Sequence, residues 1–269
     1  MRVLNVNKSS YFYWLNNGRV NSNNSIFFYQ SIIELYYSSK GIYGSPRITA
    51  CLNHNGIPCS LSKVARCMRI LGIRSIVSKR FPQRKSNLTD KEKSLILNLI
   101  KDLKLVRINQ VWTTDITYIK TINEGTFYII TFIDLFSKKI TAWGLFENQK
   151  TDKIIKVLKD GIKKRKPNPG LIIHSDKGSQ MRSKLYRRYL SNNNLVFSYT
   201  SLNHSCDENS AHESFHASLK KEYLYQYKIY GFEDAYRLIF DYIEGFYNPI
   251  RLHSSLGYLS PNEFEKINS

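Results

Sequence analysis

Three acidic residues lie in short polar stretches that a buried core does not require. Asp115 lies in Trp-Thr-Thr-Asp-Ile-Thr-Tyr, Asp176 in His-Ser-Asp-Lys-Gly-Ser-Gln, and Glu213 in Ala-His-Glu-Ser-Phe. Carboxylate oxygens are the ligands that hard divalent cations prefer. Two such cations held by shared carboxylates support in-line displacement at phosphorus. We therefore expect these three residues to form a site for two Mg²⁺ or Mn²⁺ ions.

Each carboxylate also has an ordinary structural explanation. Asp115 would face solvent from a strand, although aspartate is disfavoured there. Asp176 would close an Asx turn ahead of Gly178, and Glu213 would belong to a solvated helix face. The chemical interpretation depends on finding all three in a chain whose formal net charge is +19.

The predicted elements place these residues in one arrangement of sheet and helices. β-Branched and aromatic runs predict strands, and apolar periodicity predicts helices. The predicted strands are Val111–Lys120, Thr126–Leu135, Lys139–Phe146, Leu171–Ser175 and Leu195–Tyr199, and the predicted helices are Asp152–Lys164, Ser183–Leu190 and Ser210–Tyr227. A meander of three strands followed by alternating strands and helices indicates a mixed α/β sheet flanked by helices.

The two aspartates have defined positions on their strands. Alternation puts Thr113, Asp115 and Thr117 on one face of the first strand, opposite Trp112. Asp176 directly follows an apolar strand, at a carboxyl end where α/β sheets collect ligands. Both positions suit ligation better than core packing.

Glu213 opens the last of these helices, whose two sides differ. The polar stripe contains Asn209, Glu213, His216 and Lys220, and the apolar side contains Ala211, Phe215, Leu219 and Tyr223. We expect the apolar side to pack on the sheet and Lys220 to meet a phosphate beside the metals. His174 would hydrogen-bond substrate, orient a neighbour or be structural. No metal role is assigned to His204, His212 and His216.

Positive charge is concentrated in the first part of the chain. Residues 1–107 contain 18 basic and 4 acidic side chains, a net charge of +14, whereas residues 108–269 contain 22 and 17, a net charge of +5. This excess favours a region that grips a nucleic-acid backbone. A basic surface without a partner stays open as an alternative.

The basic region has the pattern of a helix-turn-helix unit. Segments Ser45–Asn53 and Ser60–Leu71 carry apolar residues at helical spacing. The residues predicted to contact DNA are Arg47, Lys63, Arg66 and Arg69. An amphipathic helix with solvated charges explains this segment equally well.

We predict three segments: a helical DNA-binding region at 1–80, a basic linker and helix at 81–107, and a catalytic core at 108–269. The helix of the linker is expected at about residues 89–105. The sequence has no secretion signal and no apolar stretch of about 18 residues. We therefore expect a cytoplasmic, nucleoid-associated protein.

The motifs resemble a known family, the second-frame (orfB-type) transposases of bacterial insertion sequences, whose catalytic core is similar to that of retroviral integrases. The stretches around Asp115, Asp176 and Glu213 resemble the family's three acidic motifs. The family's closing signature is similar to Tyr247-Asn248, Arg251, His253-Ser254, Leu256-Gly257-Tyr258 and Ser260-Pro261 of this chain. Its auxiliary helix-turn-helix segment is similar to Tyr43-Gly44, Arg47-Ile48 and Val64–Gly72. The resemblance covers nearly the whole chain.

The resemblance implies a ribonuclease H-like fold in which Asp115, Asp176 and Glu213 form a DDE triad that binds two metal ions. The implied reactions are strand cleavage at the element's ends and transfer of the freed 3′ hydroxyl to target DNA. Lys220 and Asn209 would contact the DNA. The implied partners are element ends, target DNA, an upstream-frame protein or frameshift fusion, and further copies of the chain on DNA, but no membrane.

Two features depart from the family pattern. Between Asp176 and Glu213 lie 36 residues, one more than is usual, and Glu208 stands where an aspartate is commoner. A one-residue insertion in a loop is tolerated energetically. Two alternatives to an active transposase stay open: a DNA-binding regulator without catalysis, and a ribonuclease H-like nuclease that only hydrolyses.

Overall fold

A computed structural model gives the fold of the chain. The structure describes residues 9, 22–77, 98–100, 102–176, 178–200 and 210–269. The chain divides into two compact units, Met1–Pro82 and Gln83–Ser269. Of the predicted linker and helix at 81–107, residues 81–97 and 101 lie outside the described residues. Residues 98–100 and 102–107 form bends, turns and irregular backbone rather than helix.

The described part of the first unit contains three longer helices, α1 (Ser22–Ser38), α2 (Ser45–His54) and α3 (Leu61–Ile70). Helix α3 begins after Ser60, whose hydroxyl accepts a hydrogen bond from the Lys63 N–H and so satisfies one unpaired donor of the first turn. Apolar side chains from the three helices form the core of this unit: Phe28, Ile32, Ile48, Leu52, Val64 and Met68. The predicted helix-turn-helix arrangement is confirmed.

The four basic residues predicted to contact DNA differ in exposure. Lys63, Arg66 and Arg69 are exposed on α3. Arg47 is half-buried on α2, and its guanidinium lies 5.5 Å from the centre of the Tyr43 ring. Helix α3 therefore presents three basic side chains to solvent, although the Lys63 ammonium also lies 4.2 Å from the centre of the Phe28 ring.

Five strands form the sheet of the second unit: β1 (Val111–Lys120), β2 (Thr126–Asp134), β3 (Ile140–Phe146), β4 (Ile172–Ser175) and β5 (Val196–Tyr199). Their order is β3-β2-β1-β4-β5. Strand β2 is antiparallel to β1 and β3, whereas β4 is parallel to β1 and β5. Every bound lies within one residue of the prediction. The predicted mixed sheet is confirmed.

Helices α4 (Thr151–Arg165) and α5 (Lys184–Asn192) cover one face of this sheet. The core on that face includes Trp112, Phe132, Val157, Leu158, Tyr186 and Leu190. Helix α4 lies close to the sheet at Gly161, where a Cβ would stand only 2.8 Å from the Cβ of Ala142. Because side chains alternate along a strand, the burial of Trp112 on this face directs Asp115 to the opposite face.

The predicted helix Ser210–Tyr227 is only partly α-helical. Helix α6 spans Ser210–Ser218, and a π-helical turn at Leu219–Tyr223 and a 3₁₀ turn at Leu224–Gln226 follow it. The chain continues through α7 (Phe232–Tyr242), a second π-helical turn (Ile243–Tyr247), a 3₁₀ turn (Ser254–Leu256) and α8 (Pro261–Asn268). Within the described ranges, no helix is long and apolar enough to cross a membrane.

Glu265 on α8 ties the end of the chain to the sheet and to α4. Its carboxylate accepts two hydrogen bonds of 2.7 Å from Arg165, one of 2.9 Å from Lys139 and one of 2.8 Å from the Ser137 hydroxyl. Burial by itself raises the pKa of Glu265, but the hydrogen bonds from Arg165 and Lys139 outweigh burial and lower the pKa below its ordinary value. Folding therefore stabilises the charged carboxylate.

Glu265→Gln should lower the free energy of unfolding by about 2 kcal/mol at pH 7, because Arg165 loses a charged bidentate acceptor. Since the folded-state pKa is depressed, this stability is fully present above the ordinary value of 4.5. It is lost as the pH falls through the folded-state value. Urea denaturation of both proteins at neutral and acidic pH measures the difference. Glu147→Gln, at an exposed glutamate, is the control, and equal losses from the two substitutions would contradict the prediction.

Candidate active site

Asp115 and Asp176 each directly follow a residue of the ladder between β1 and β4. Strand β1 pairs with β4 in parallel, and the register joins Thr114 to Ser175. Asp115 continues β1, and Asp176 is the first residue after β4. Neighbouring strands lie about 4.8 Å apart. The register therefore brings two of the predicted site residues together.

The carboxyl end of β4 carries two polar residues in different environments. Asp176 is exposed, and its Oδ1 accepts a hydrogen bond of 3.1 Å from the Gly178 N–H. The Asx turn considered as an alternative is therefore present, and it fixes the direction of an exposed carboxylate. His174 is buried, and its Nδ1 lies 3.0 Å from the Ser198 hydroxyl on β5. His174 therefore helps to hold β4 against β5.

Asp115 lies in a polar cluster between β1, β2 and α6. Its side chain is 25% exposed, and Oδ2 lies 3.6 Å from His216 Nδ1. The hydroxyl of Thr131, its register partner on β2, lies 3.3 Å from His212 Nδ1 and 3.5 Å from His216 Nε2. One donor atom from each of Asp115, His212 and His216 lies within 4.8 Å of the others. We call these three residues the Asp–His cluster.

Both histidines of the cluster are neutral near pH 7. Burial lowers the pKa of His212 to about 4, although a hydrogen bond with the Thr113 backbone opposes the shift. Burial is also the main cause that lowers the pKa of His216 to about 3, and His212 and Lys220 add to it. The contact between His216 and Asp115 therefore joins a neutral ring to a carboxylate and is not a salt bridge. His216 does not neutralise the charge of Asp115.

Lys220 brings positive charge to the same strand. Its Nζ donates a 2.7 Å hydrogen bond to the hydroxyl of Thr117 and lies 4.9 Å from the centre of the Tyr118 ring. Burial lowers the pKa of Lys220, and the charge of Asp115 opposes that shift. Because Thr117 follows Asp115 by two residues on the same strand face, the Lys220 ammonium is held near the carboxylates.

Glu213 is exposed in the first turn of α6. It precedes His216 by three residues, so the two side chains are neighbours on the helix surface. His216 in turn contacts Asp115. Glu213 therefore borders the Asp–His cluster on its exposed side. Asn209, which was predicted to contact DNA, lies outside the described residues.

Helix α6 packs partly as predicted. Phe215, Leu219 and Tyr223 are buried, which confirms the apolar side. His212 is also fully buried, and His216 points towards Asp115 instead of lying on a solvated stripe. The sequence prediction assigned no metal role to these two histidines. Their spacing was the signal that it missed, because residues four apart on a helix share one face.

The exposed side of this arrangement fits hard divalent cations. Asp176 and Glu213 are exposed carboxylates, and Asp115 is half-buried on the adjoining strand. Oxygen donors of this kind suit Mg²⁺ and Mn²⁺. Lys220 adds a cation that suits phosphate. These side chains are therefore of the types that divalent cations and phosphate prefer. Among the described residues, the group of close ligand atoms at this site includes Asp115 but neither Asp176 nor Glu213.

Three family models match the chain. Two models of an integrase core domain match residues 106–205 and 198–261, and a model of an HTH-like domain matches residues 26–81. The core-domain matches include Asp115, Asp176 and Glu213. The HTH-like match includes α2, α3 and most of α1.

Curated relatives decide the family. The chain is 36% identical over 242 residues to the transposase for insertion sequence element IS904 of Lactococcus lactis. The matched region covers 89% of this chain and 94% of that protein. It is 32% identical over 273 residues to transposase InsF for insertion sequence IS3A of Escherichia coli. This match covers 99% of this chain and 93% of that protein. The chain belongs to the IS3-family transposases. It is a polynucleotidyl transferase with an integrase core and an HTH-like domain.

Solved structures show a weaker likeness to this transposase. The HTLV-2 integrase catalytic core domain in complex with magnesium gives a TM-score of 0.45 and 13% identity, and the match covers 60% of this chain and 98% of that chain. The family assignment rests on the curated relatives, not on this likeness.

The closing signature of the transposase supports the turn that carries Lys220. Arg251 donates hydrogen bonds of 2.6 and 2.8 Å to Glu222 and one of 2.9 Å to the Ser218 hydroxyl. The Tyr242 hydroxyl donates a further bond of 2.8 Å to Glu222. Glu222 and Lys220 belong to the same π-helical turn. The buried ion pair therefore fixes this turn, and no local sequence pattern pointed to Glu222 because its partner is 29 residues away.

Glu222→Leu should lower the free energy of unfolding of the transposase by about 3–5 kcal/mol, because the buried Arg251 loses its compensating charge. The double variant Glu222→Leu/Arg251→Met should lose less than the single variant, since apolar replacement of a buried ion pair is often close to neutral. Urea denaturation of both variants measures the losses. Equal losses of unfolding free energy in the single and double variants would show that the uncompensated charge of Arg251 does not cause the instability.

Proposed function

We propose that this transposase cleaves DNA at the ends of an insertion sequence and joins the freed 3′ ends to target DNA. In this proposal Asp115, Asp176 and Glu213 are the metal-binding catalytic residues. The observation that supports the proposal is the parallel register of β1 with β4, which pairs Thr114 with Ser175, the residues directly before Asp115 and Asp176. The printed names of the relatives, transposases of insertion sequences, support the reaction class.

The residues of the proposed site have separate tasks. The three carboxylates would hold two Mg²⁺ or Mn²⁺ ions, which when bound activate the attacking hydroxyl and stabilise the leaving oxygen. Strand β1 fixes Asp115, the turn to Gly178 directs Asp176, and the first turn of α6 presents Glu213. The Lys220 ammonium would bind a phosphate oxygen of the DNA end.

Cleavage and joining are each one in-line displacement at phosphorus. In cleavage, the oxygen of water bonds to phosphorus and the bond to the 3′ oxygen breaks, which leaves a 3′ hydroxyl on the element and a 5′ phosphate on the flank. In joining, that 3′ oxygen bonds to a target phosphorus and the target's 3′ oxygen leaves. The proton of the attacking hydroxyl passes to solvent, and the leaving oxygen gains one. No protein residue bonds to the DNA.

The first unit would supply DNA affinity. Lys63, Arg66 and Arg69 are exposed on α3, and Arg47 lies on the neighbouring helix α2. Outside this unit, Lys220 and Asn209 are the proposed contacts to the terminal DNA. Because two element ends must be processed together, we expect several copies of the transposase on DNA, together with an upstream-frame protein or a frameshift fusion. Its DNA substrate would place it on the nucleoid in the cytoplasm.

Joining of a labelled element end to plasmid DNA, with Mg²⁺ or Mn²⁺, tests the proposed catalytic residues. Asp115→Asn, Asp176→Asn and Glu213→Gln should each lower the rate of joining by about 100-fold or more, because electrostatic stabilisation of the transition state is lost. Asp160→Asn and Glu147→Gln, at exposed acidic residues, are the matched controls. A fusion carrying the upstream frame is assayed in parallel.

The alternatives give different products in this assay. Binding of DNA without nicking, even by the fusion, would support a regulator and contradict catalysis. Nicking without joined product would support a nuclease that only hydrolyses. Full joining by Glu213→Gln would remove that residue from the site.

The salt dependence of DNA affinity tests the basic face of α3. Lys63→Ala, Arg66→Ala and Arg69→Ala should each weaken binding, and each should reduce the slope of log affinity against log salt by about 0.9, the value for one lost phosphate contact. Fluorescence anisotropy between 50 and 200 mM salt measures the slope. Lys163→Ala, at an exposed lysine of α4, is the control. Unchanged slopes in all three variants would place the DNA elsewhere.

A further inference from the structure

The Asp–His cluster has the composition of a different metal site from the one formed by carboxylates. His216 Nδ1 lies 3.6 Å from Asp115 Oδ2, and one donor from each of Asp115, His212 and His216 lies within 4.8 Å of the others. Around a tetrahedral ion with bonds of 2.0–2.1 Å, neighbouring donors stand about 3.3 Å apart. The distances between the donor atoms therefore need to shorten by no more than about 1.5 Å for the three residues to bind one ion.

The helix provides the two histidines at a metal-binding spacing. The sequence His212-Glu213-Ser214-Phe215-His216 puts the imidazoles one turn apart on the same face of α6. Two histidines at this spacing on a helix form the helical half of many zinc sites. Strand β1 supplies Asp115 as a third ligand from a separate, rigid element.

The environment of His212 gives an independent reason to expect a ligand. This side chain is completely buried. Apart from the contact of its ring with the Thr113 backbone, its Nε2 makes no hydrogen bond to the described residues. A buried polar atom left without a partner is costly, and a metal bond would satisfy it. The Thr131 hydroxyl lies 3.3 Å from the other nitrogen of His212, where an outer hydrogen bond commonly orients a ligating imidazole.

We propose that Asp115, His212 and His216 form a binding site for a divalent transition-metal ion of the Zn²⁺ class. Two imidazole nitrogens and one carboxylate oxygen favour zinc and its neighbours over Mg²⁺. Three protein ligands leave the fourth position of a tetrahedral ion open to water. This site goes beyond the proposed strand transfer and shares only Asp115 with it.

Occupancy of this site has a chemical consequence for the carboxylates. Zinc held by His212 and His216 takes up Asp115, so the ion withholds this carboxylate from the magnesium pair. Transition metals bind nitrogen-containing sites more tightly than Mg²⁺ does, so an excess of Mg²⁺ does not reverse the binding. Zinc would then act as an inhibitor of strand transfer.

Cobalt titration of the full-length, metal-stripped chain tests the site without DNA. Co²⁺ replaces Zn²⁺ in tetrahedral sites and gives visible absorption, and excess Mg²⁺ is present to fill sites that have oxygen ligands alone. We expect one tetrahedral Co²⁺ per chain, without a thiolate-to-cobalt band, and its displacement by Zn²⁺. His216→Gln, His212→Leu and Asp115→Asn should each weaken binding at least about tenfold, since loss of even an outer partner costs 10–100-fold.

Two control variants separate this inference from other causes. His54→Gln, at an exposed histidine of the first unit, should leave the cobalt spectrum unchanged. Asp176→Asn should also leave it unchanged, although it removes strand transfer under the proposed function. Circular dichroism checks that His212→Leu folds, and if that variant does not fold, His216→Gln decides.

The outcomes distinguish the two proposals. If cobalt does not bind, or if His216→Gln and Asp115→Asn leave its binding unchanged, the zinc-site proposal is wrong. The proposal of strand transfer is not affected by that result. A cobalt site that responds to these substitutions in a protein unable to join DNA supports the zinc site, and the proposed function alone fails. A spectrum that Asp176→Asn also weakens would assign the ion to the carboxylates and overturn the separate site.

Discussion

The parallel pairing of β1 with β4 is the constraint on which the rest of the catalytic unit depends. Strand β4 has four residues and lies between β1 and β5, so a short ladder sets the position of Asp176 relative to Asp115. The burial of Trp112 beneath α4 orients β1 and directs Asp115 to the opposite face. Apolar packing on one side of the sheet therefore fixes the carboxylates on the other.

The opposite face combines buried apolar side chains such as Phe215 and Leu219 with buried polar groups. Helix α6 contacts the sheet through His212 and His216 against Thr131 and Asp115. The turn after α6 is held by the buried pair of Glu222 and Arg251. Buried polar groups are costly unless they have partners, and several groups on this face have a partner from a distant part of the chain. His212 Nε2 and Thr113 Oγ1 are buried and make no hydrogen bond to the described residues. The His212 atom belongs to the Asp–His cluster.

The sequence predicted what local pattern controls. The β-branched and aromatic runs located all five strands of the sheet to within one residue, and the polar context of Asp115 and Asp176 marked them before their register was known. The burial of His212 was not predictable, because it depends on Thr131 from another strand. The π-helical turn at Leu219–Tyr223 was also missed, because its buried residue Glu222 has its partner, Arg251, 29 residues away in the chain.

The contact of Glu265 with Arg165 and Lys139 joins residues at least 100 positions apart, and this affects the order in which the protein matures. Chains are synthesised from the amino terminus, and the helices of residues 22–77 bury their apolar side chains against one another. They can therefore fold while the remainder is still on the ribosome. The second unit acquires its last ion pairs only when α8 has been made. Under the proposed function, the DNA-binding unit is therefore complete before the catalytic one.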